Sequence, residues 1–363
     1  MEKVSAFLRR KDIVFSPKRY FIDAMSAMAQ GLFCTLLVGT ILNTLGTQLH
    51  IGFLTDIIVT LGKGDGAVGY TIGGLCSAMV GPGMAVAIGQ ALNAPPMVLF
   101  SLIPVGFATN AMGGAGGPLA VLFVAIIAAE IGKAVSKETK IDILVTPIVT
   151  ILSGIGAAAL IAAPIGTAAS AVGKAIMWAT ELQPFFMGII VSVVIGIALT
   201  LPISSAAICA ALGLTGLAGG AAVAGCCAQM VGFAVMSFRE NRWGGLAAQG
   251  LGTSMLQMGN IVRNPRIWIP PTLASAITGP IATCIFRMEM NGAAVSSGMG
   301  TCGLVGQIGV YTGWIEAGKA VTAFDWVGLV LICFVLPAIL SWLIALPLRN
   351  WGWIGENDLK LDL

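Results

Sequence analysis

The chain has 363 residues, 57% of them hydrophobic and 10% charged, with a net charge of +3 and a mean hydropathy of +0.94. A soluble domain carries about 25% charged residues, so the composition excludes a soluble enzyme, a disordered regulator and a nucleic-acid-binding domain. The apolar runs are continuous rather than alternating, which excludes a transmembrane barrel and leaves an all-α polytopic membrane protein.

Residues 1–19 hold Lys3, Arg9, Arg10, Lys11, Lys18 and Arg19 against Glu2 and Asp12. Basic flanks stay on the inner side of a first span, so this segment is expected to be a cytoplasmic N-terminus. The first span is predicted at Phe21–Leu45, followed by a short re-entrant or interfacial piece, Ile51–Leu61, and a polar turn, Gly62–Gly66. A Gly-rich span runs over Ala67–Ala91, and Met97–Thr109 follows the Pro95-Pro96 break. Asn110–Gly117 (NAMGGAGG) carries too many glycines for a stable helix and reads as a loop. Pro118–Ile131 is the next span, and Lys133–Asp142 is a charged loop whose flanking Glu130 and Asp142 are expected to be solvated. Ile143–Ala163 spans, and Gly166–Glu181 is expected at the interface.

Pro184 opens a second set of apolar segments at 185–201, 204–217 and 219–237. A polar hinge, Arg239–Gly245 (RENRWGG), leads into a weakly hydrophobic stretch to Val262. Asn264–Phe286, the Gly- and Ser-rich Asn291–Gly313, and Trp326–Leu348 complete the chain. Trp351 and Trp353 beside Arg349 form an aromatic anchor. The segments amount to about ten transmembrane helices, several of them short or broken as in re-entrant hairpins.

An internal repeat is visible. GLCSAMVG at Gly74–Gly81 matches GCCAQMVG at Gly225–Gly232, offset by 151 residues, and FATN at Phe107–Asn110 aligns with QMGN at Gln257–Asn260, offset by 150. The first repeat is placed at 20–183, the second at 184–348, and a C-terminal tail at 349–363. An odd number of spans in each half would make the two repeats inverted, with a substrate site near the midplane.

Polar amides are costly inside a membrane protein unless satisfied, and each amide can both donate to and accept from a hydroxyl. Gln249, Gln257, Asn260 and Asn264, with Arg263, concentrate in the second half. Gln229 interrupts an apolar run, and Asn110 is the first-half counterpart. These seven are the candidate substrate-binding residues, with Trp243 or Trp268 available to stack on a sugar ring. The alternatives are cytoplasmic loops for the arginines, an interhelical hydrogen bond for Gln229 and Gly-mediated packing around Asn110. The eight cysteines lie in apolar or small-residue stretches with no CxxC pair, and His50 is the only histidine. They read as small buried residues and a structural histidine, with no metal site and no cofactor.

At Asn264–Pro271 the chain reads NPRIWIPP, preceded by the amide-rich hairpin. This element is similar to the NP-containing element of the membrane-embedded IIC subunits of the phosphoenolpyruvate-dependent sugar phosphotransferase system. The Gly-rich pattern over nearly the whole chain resembles a divergent type 2 branch that includes toxin-regulator (perfringolysin-regulator-like) membrane proteins. The resemblance implies a multi-pass permease of the bacterial plasma membrane. It would bind and translocate a sugar or polyol for phosphorylation by separate IIA and IIB phosphocarrier proteins. A homodimer is one assembly open to it. Better-known sugar permeases carry Glu-Pro where this chain has Thr253-Ser254, eleven residues before Asn264, and their site histidine has no equivalent here. The resemblance therefore carries no catalytic residue over; the chain would be at most the membrane component of a phosphotransferase complex. Two other readings stay open: a transport-inactive membrane sensor, and an ion-coupled organic-anion transporter in which Arg263 or Arg239 meets a carboxylate.

Overall fold

The computed structural model describes residues 2–62, 67–180 and 182–361. Most of the expected turn Gly62–Gly66, and Glu181, lie outside them. The chain forms two compact units, Met1–Ala168 and Ala169–Leu363. Both are built from helices; the strands among the described residues are one antiparallel pair, β1 (Val59–Leu61) with β2 (Val68–Tyr70).

In the first unit, α1 (Glu2–Arg10) precedes the long α2 (Lys18–Thr47). The Thr71 hydroxyl accepts from the Gly74 N–H and starts α3 (Ile72–Ala78), which bends by 53° into α4 (Val80–Ala91). Next come α5 (Pro96–Gly113) and α6 (Gly117–Val135), each with a proline in its first turn, where a missing N–H costs nothing. Helix α4 packs against α2, α5 and α6. The close approach needs glycine: a Cβ at Gly81 would overlap the Gly106 carbonyl.

The loop expected at Asn110–Gly117 is a correction. Asn110 lies in the last turn of α5, and only Gly114–Gly116 leaves the α-helix, as a 3₁₀ turn entered at Gly114 with φ +50°. Helix persists because these glycines pack, Gly113 beside Ala120 and Gly116 on the Ile165 carbonyl; burial overrides the propensity. The chain folds back here, since Val98 abuts Gly132 and Asn110 abuts Gly117. The arms have 18 and 19 residues, about 27 and 29 Å long at 1.5 Å per residue, close to a bilayer core. Helix α7 (Asp142–Thr180) runs unbroken over 39 residues, taking in the stretch expected at the interface.

In the second unit, α8 (Pro184–Thr200) and α9 (Ser205–Leu212) lead to α10 (Gly216–Met236). Helix α10 is 94% buried over its apolar window. It packs against α8, α13 (Ile269–Pro280) and α15 (Ala323–Asn350). Here Gly225 lies flat on the Ser192 backbone, where a Cβ would clash. Between α10 and α13 the chain forms α11 (Phe238–Ala247), broken at Arg242 with φ +51°, irregular turns, and the short α12 (Met258–Arg263). Helix α14 (Val305–Glu316) follows a run of 3₁₀ turns, and a Thr322–Asp325 capping box opens α15.

Among the described residues, five helical stretches suffice by length and composition to cross a membrane, or six if the bent α3–α4 pair is one span. One of the five is the folded-back α5–α6 pair. The protein is an all-α polytopic membrane protein.

Candidate functional site

The amides singled out in the second unit are nearly all buried and all engaged. Gln229, mid-way along α10 and fully buried, accepts at Oε1 from the Trp268 indole N–H (2.9 Å) and the Thr200 hydroxyl (3.3 Å), and donates from Nε2 to Thr272 (3.3 Å). Thr200 also meets the buried Ser254 hydroxyl at 2.8 Å. The cluster is therefore neutral: one amide, three hydroxyls and an indole from α8, α10, the turn before α12 and the start of α13. Trp268 and Thr272 stand four residues apart on one face, and the Thr272 hydroxyl is fixed by the Trp268 carbonyl at 2.8 Å.

Gln249, Gln257 and Asn260 form a second, continuous chain. Gln249 donates to Ser237 (2.8 Å) and to the Gly245 carbonyl (3.0 Å), and its Oε1 accepts from Gln257 (2.8 Å). Gln257 in turn accepts from Asn260 at 2.8 Å. The remaining donors of this chain hold the C-terminal tail: Gln257 donates to the Leu359 carbonyl (3.0 Å) and Asn260 to the Lys360 carbonyl (2.8 Å). Asn264 donates to the Trp353 carbonyl (2.8 Å) and to Asp358 (2.7 Å). Asn241 completes the dock by donating to Leu359 and accepting from the Leu361 N–H, both at 2.8 Å. The tail buries Ile354 and Leu359 in doing so, and Trp353 lies under the Arg266 guanidinium, 5.2 Å from the ring centre.

Arg263 ends α12 exposed, with no hydrogen bond or ion pair among the described residues. Trp243 is 74% exposed, edge-on to Phe238. In the first unit Asn110 is half-buried, and its amide has no hydrogen-bond partner among the described residues. His50 is exposed, with φ +53°.

Sequence reasoning missed the charged cluster of the first unit. Lys133 is 1% exposed and its partner Glu130 11%, so the expectation of a solvated Glu130 is corrected. The Lys133 ammonium donates to the Asp12 carbonyl (2.7 Å) and the Leu92 carbonyl (2.9 Å) and pairs with Glu130 (3.1 Å). Arg19 shares the Leu92 carbonyl at 2.6 Å and pairs with Asp12 at 2.5 Å. The Arg19 hydrogen bond holds the Asp12 carboxyl below its ordinary range, against the opposing effect of burial. A lysine at the end of an apolar helix looks like a loop residue; only the distant carbonyls of Leu92 and Asp12 make it a core one.

The family model described as "Phosphotransferase system, EIIC" matches residues 22–361. No curated protein and no solved structure matches the chain. The matched range takes in almost every element described above, and the chain belongs to that family. It is a membrane-embedded permease-type component of a sugar phosphotransferase system.

Proposed function

We propose that this chain binds and translocates a sugar or polyol and presents it for phosphorylation by separate IIA and IIB proteins, with the Gln229 cluster as the centre of the substrate site. The observation that carries this reading is the link from Gln229 through Thr200 to Ser254. Thr253-Ser254 stands where better-known sugar permeases have Glu-Pro, so the resemblance and the buried polar cluster converge on one place. Hydroxyls, an amide and an indole suit a neutral polyol, since each partner can exchange a protein hydrogen bond for one to a sugar hydroxyl. The absence of a cation from this cluster weighs against the organic-anion reading.

In this reading Asn110 offers an amide that has no hydrogen-bond partner among the described residues to give up. Gln257, Asn260 and Asn264 offer the same chemistry but only when the tail leaves, Gln249 only by giving up Ser237 or Gly245, and exposed Arg263 stands beside them for an anionic group. The duplication is supported by the shared plan of the units, each with a Gly-rich helix receiving three neighbours. The basic N-terminal segment supports a cytoplasmic N-terminus.

Purified protein screened by thermal shift against sugars, polyols and organic acids tests the proposal. A sugar or polyol should raise the melting temperature, and Gln229→Leu should abolish the shift. Response to organic acids alone would overturn the reading.

A further inference from the structure

We propose that the first unit holds an anionic phospholipid, its phosphate in a basic pocket at the end of α6 and one acyl chain in the apolar groove alongside. The pocket has a volume of about 370 Å³ and is lined by Arg10, Lys11, Lys133 and Lys137 against Asp12 and Glu138. Four cations face two anions. Glu138 is shared by Arg10 (2.6 Å) and Lys11 (2.5 Å), and Asp12 is taken by Arg19. The Lys137 ammonium has no hydrogen bond or ion pair among the described residues. Lys133 is paired with Glu130, and Asp142 acts on Lys137 at longer range, so with Arg19 five cations stand against four anions and the Lys137 ammonium is left without a close partner among the described residues.

The groove, of about 360 Å³, is lined by the same N-terminal segment and the same helix, α6. Its walls are chiefly aliphatic and aromatic, with Ile13 and Phe15 facing Ile127, Ile131 and Ala134 of α6. The one carboxylate on this wall, Glu130, is engaged by Tyr20 (3.2 Å) and Lys133 (3.1 Å). Phe15 is 73% exposed and Val14 46%, an apolar surface that water disfavours.

The order of the two cavities along α6 selects the occupant. Ile127 and Ile131 come first, within the span, and Lys137 follows just past the helix end at Val135. At 1.5 Å per residue the basic pocket lies about 15 Å beyond the start of the groove. That is the arrangement of a phospholipid: phosphate at the interface, hydrocarbon below. Basic pockets at the ends of membrane helices recognise headgroups in this way. A soluble phosphate would use the pocket and leave the groove bare.

Native mass spectrometry of the full-length protein, released from micelles doped with phosphatidylglycerol or phosphatidylcholine, tests this. Phosphatidylglycerol should be retained about fivefold over phosphatidylcholine, the ratio equivalent to about 1 kcal/mol for one basic residue near an anionic surface. Lys137→Ala, which removes no side-chain hydrogen bond or ion pair among the described residues, should bring that ratio close to one. Phe15→Ser should reduce retention of both lipids. Equal retention of the two lipids by the unaltered protein overturns the proposal, as does an unchanged ratio in Lys137→Ala and Arg10→Ala alike. Displacement of phosphatidylglycerol by inorganic phosphate, with Phe15→Ser without effect, would show an anion pocket and no lipid site, and also overturns it.

Discussion

Each unit ties a chain terminus to the end of its central glycine-rich helix, and the two do so with opposite chemistry. In the first, the N-terminal segment is held by charges: Arg19 and Lys133 both cap the Leu92 carbonyl after α4, and their counter-ions are Asp12 and Glu130. In the second, Arg349 takes the corresponding cap, on the Met236 carbonyl of α10, and pairs with Glu240, both at 3.0 Å. Beyond Arg349 the C-terminal tail is held chiefly by neutral amides. Cations at a helix C-terminus answer the same dipole in both cases. The difference is in what happens when the tie is broken. A buried charge that loses its partner is stranded, whereas a neutral amide that loses one can turn to water or to a hydroxyl. The first arrangement suits a fixed support, the second an exchangeable one.

The largest effect is expected on the charged side. Lys133→Ala removes three contacts at once and leaves Glu130 buried without its cation, which should cost about 3–5 kcal/mol. The double variant Lys133→Met with Glu130→Gln should recover much of that loss, because no charge is then stranded. Denaturant titration in micelles reads both. A loss below about 1 kcal/mol in the single variant would mean that the cluster is no firmer than a surface pair.

On the neutral side, Gln257→Ala removes donors to Gln249 and Leu359 and the acceptor of Asn260. The expected cost is about 1–3 kcal/mol, smaller than for Lys133. Amide exchange at Leu359–Leu361 should quicken while α10 stays protected. Uniform loosening of the unit would show that the tail is part of its core rather than a separable strap.

Much of the helical plan was legible because membrane burial needs long apolar runs. The predicted segment at 219–237 became Gly216–Met236, and Trp326–Leu348 lies inside Ala323–Asn350. What the sequence could not show was set by distant partners. Asn110 reads as a loop residue until Ala120 and Ile165 are seen packing on the glycines after it. The tail reads as a polar end until Gln257 is seen reaching Leu359, 102 residues away. The amides themselves were legible as a cluster, since too many polar groups interrupt one weakly apolar stretch; their mutual chain was not.

Acid should separate the two ties. Asp12 is held below its ordinary value of 3.8 chiefly by the Arg19 hydrogen bond, and Glu138 below 4.5 chiefly by the Lys11 hydrogen bond. A carboxyl held low in the folded protein binds its proton more weakly than in the unfolded chain. Its contribution to stability is complete above the ordinary value and drains away as the pH falls through the lowered one. The holds of Gln257 and Asn260 on the tail contain no titrating group; among the described residues carboxylates enter the tail's contacts at Asp358, which accepts from Asn264, and at Glu240, which pairs with Arg349. Between pH 5 and 3, pepsin should therefore reach Phe15 increasingly relative to Leu359. A constant ratio of the two cuts would mean that the charged tie does not depend on its carboxylates.

The smallest effect concerns the asparagines. Losing one neutral hydrogen bond to a ligand costs about 0.5–1.5 kcal/mol, roughly threefold to tenfold in affinity. Asn110→Ala should show that loss directly, because its amide has no hydrogen-bond partner among the described residues to release. Asn260→Ala should show less in the full chain, since its two donors already go to Gln257 and Lys360. Truncation before Gly355 removes the competing carbonyls of Leu359 and Lys360, and the Asn260→Ala penalty should then rise to match that of Asn110→Ala. Both variants should express and fold, as Asn110→Ala removes no amide hydrogen bond among the described residues and Asn260→Ala removes two neutral ones. Unchanged ligand affinity for both, with and without the tail, would leave these amides as packing and docking groups and confine substrate recognition to the Gln229 cluster.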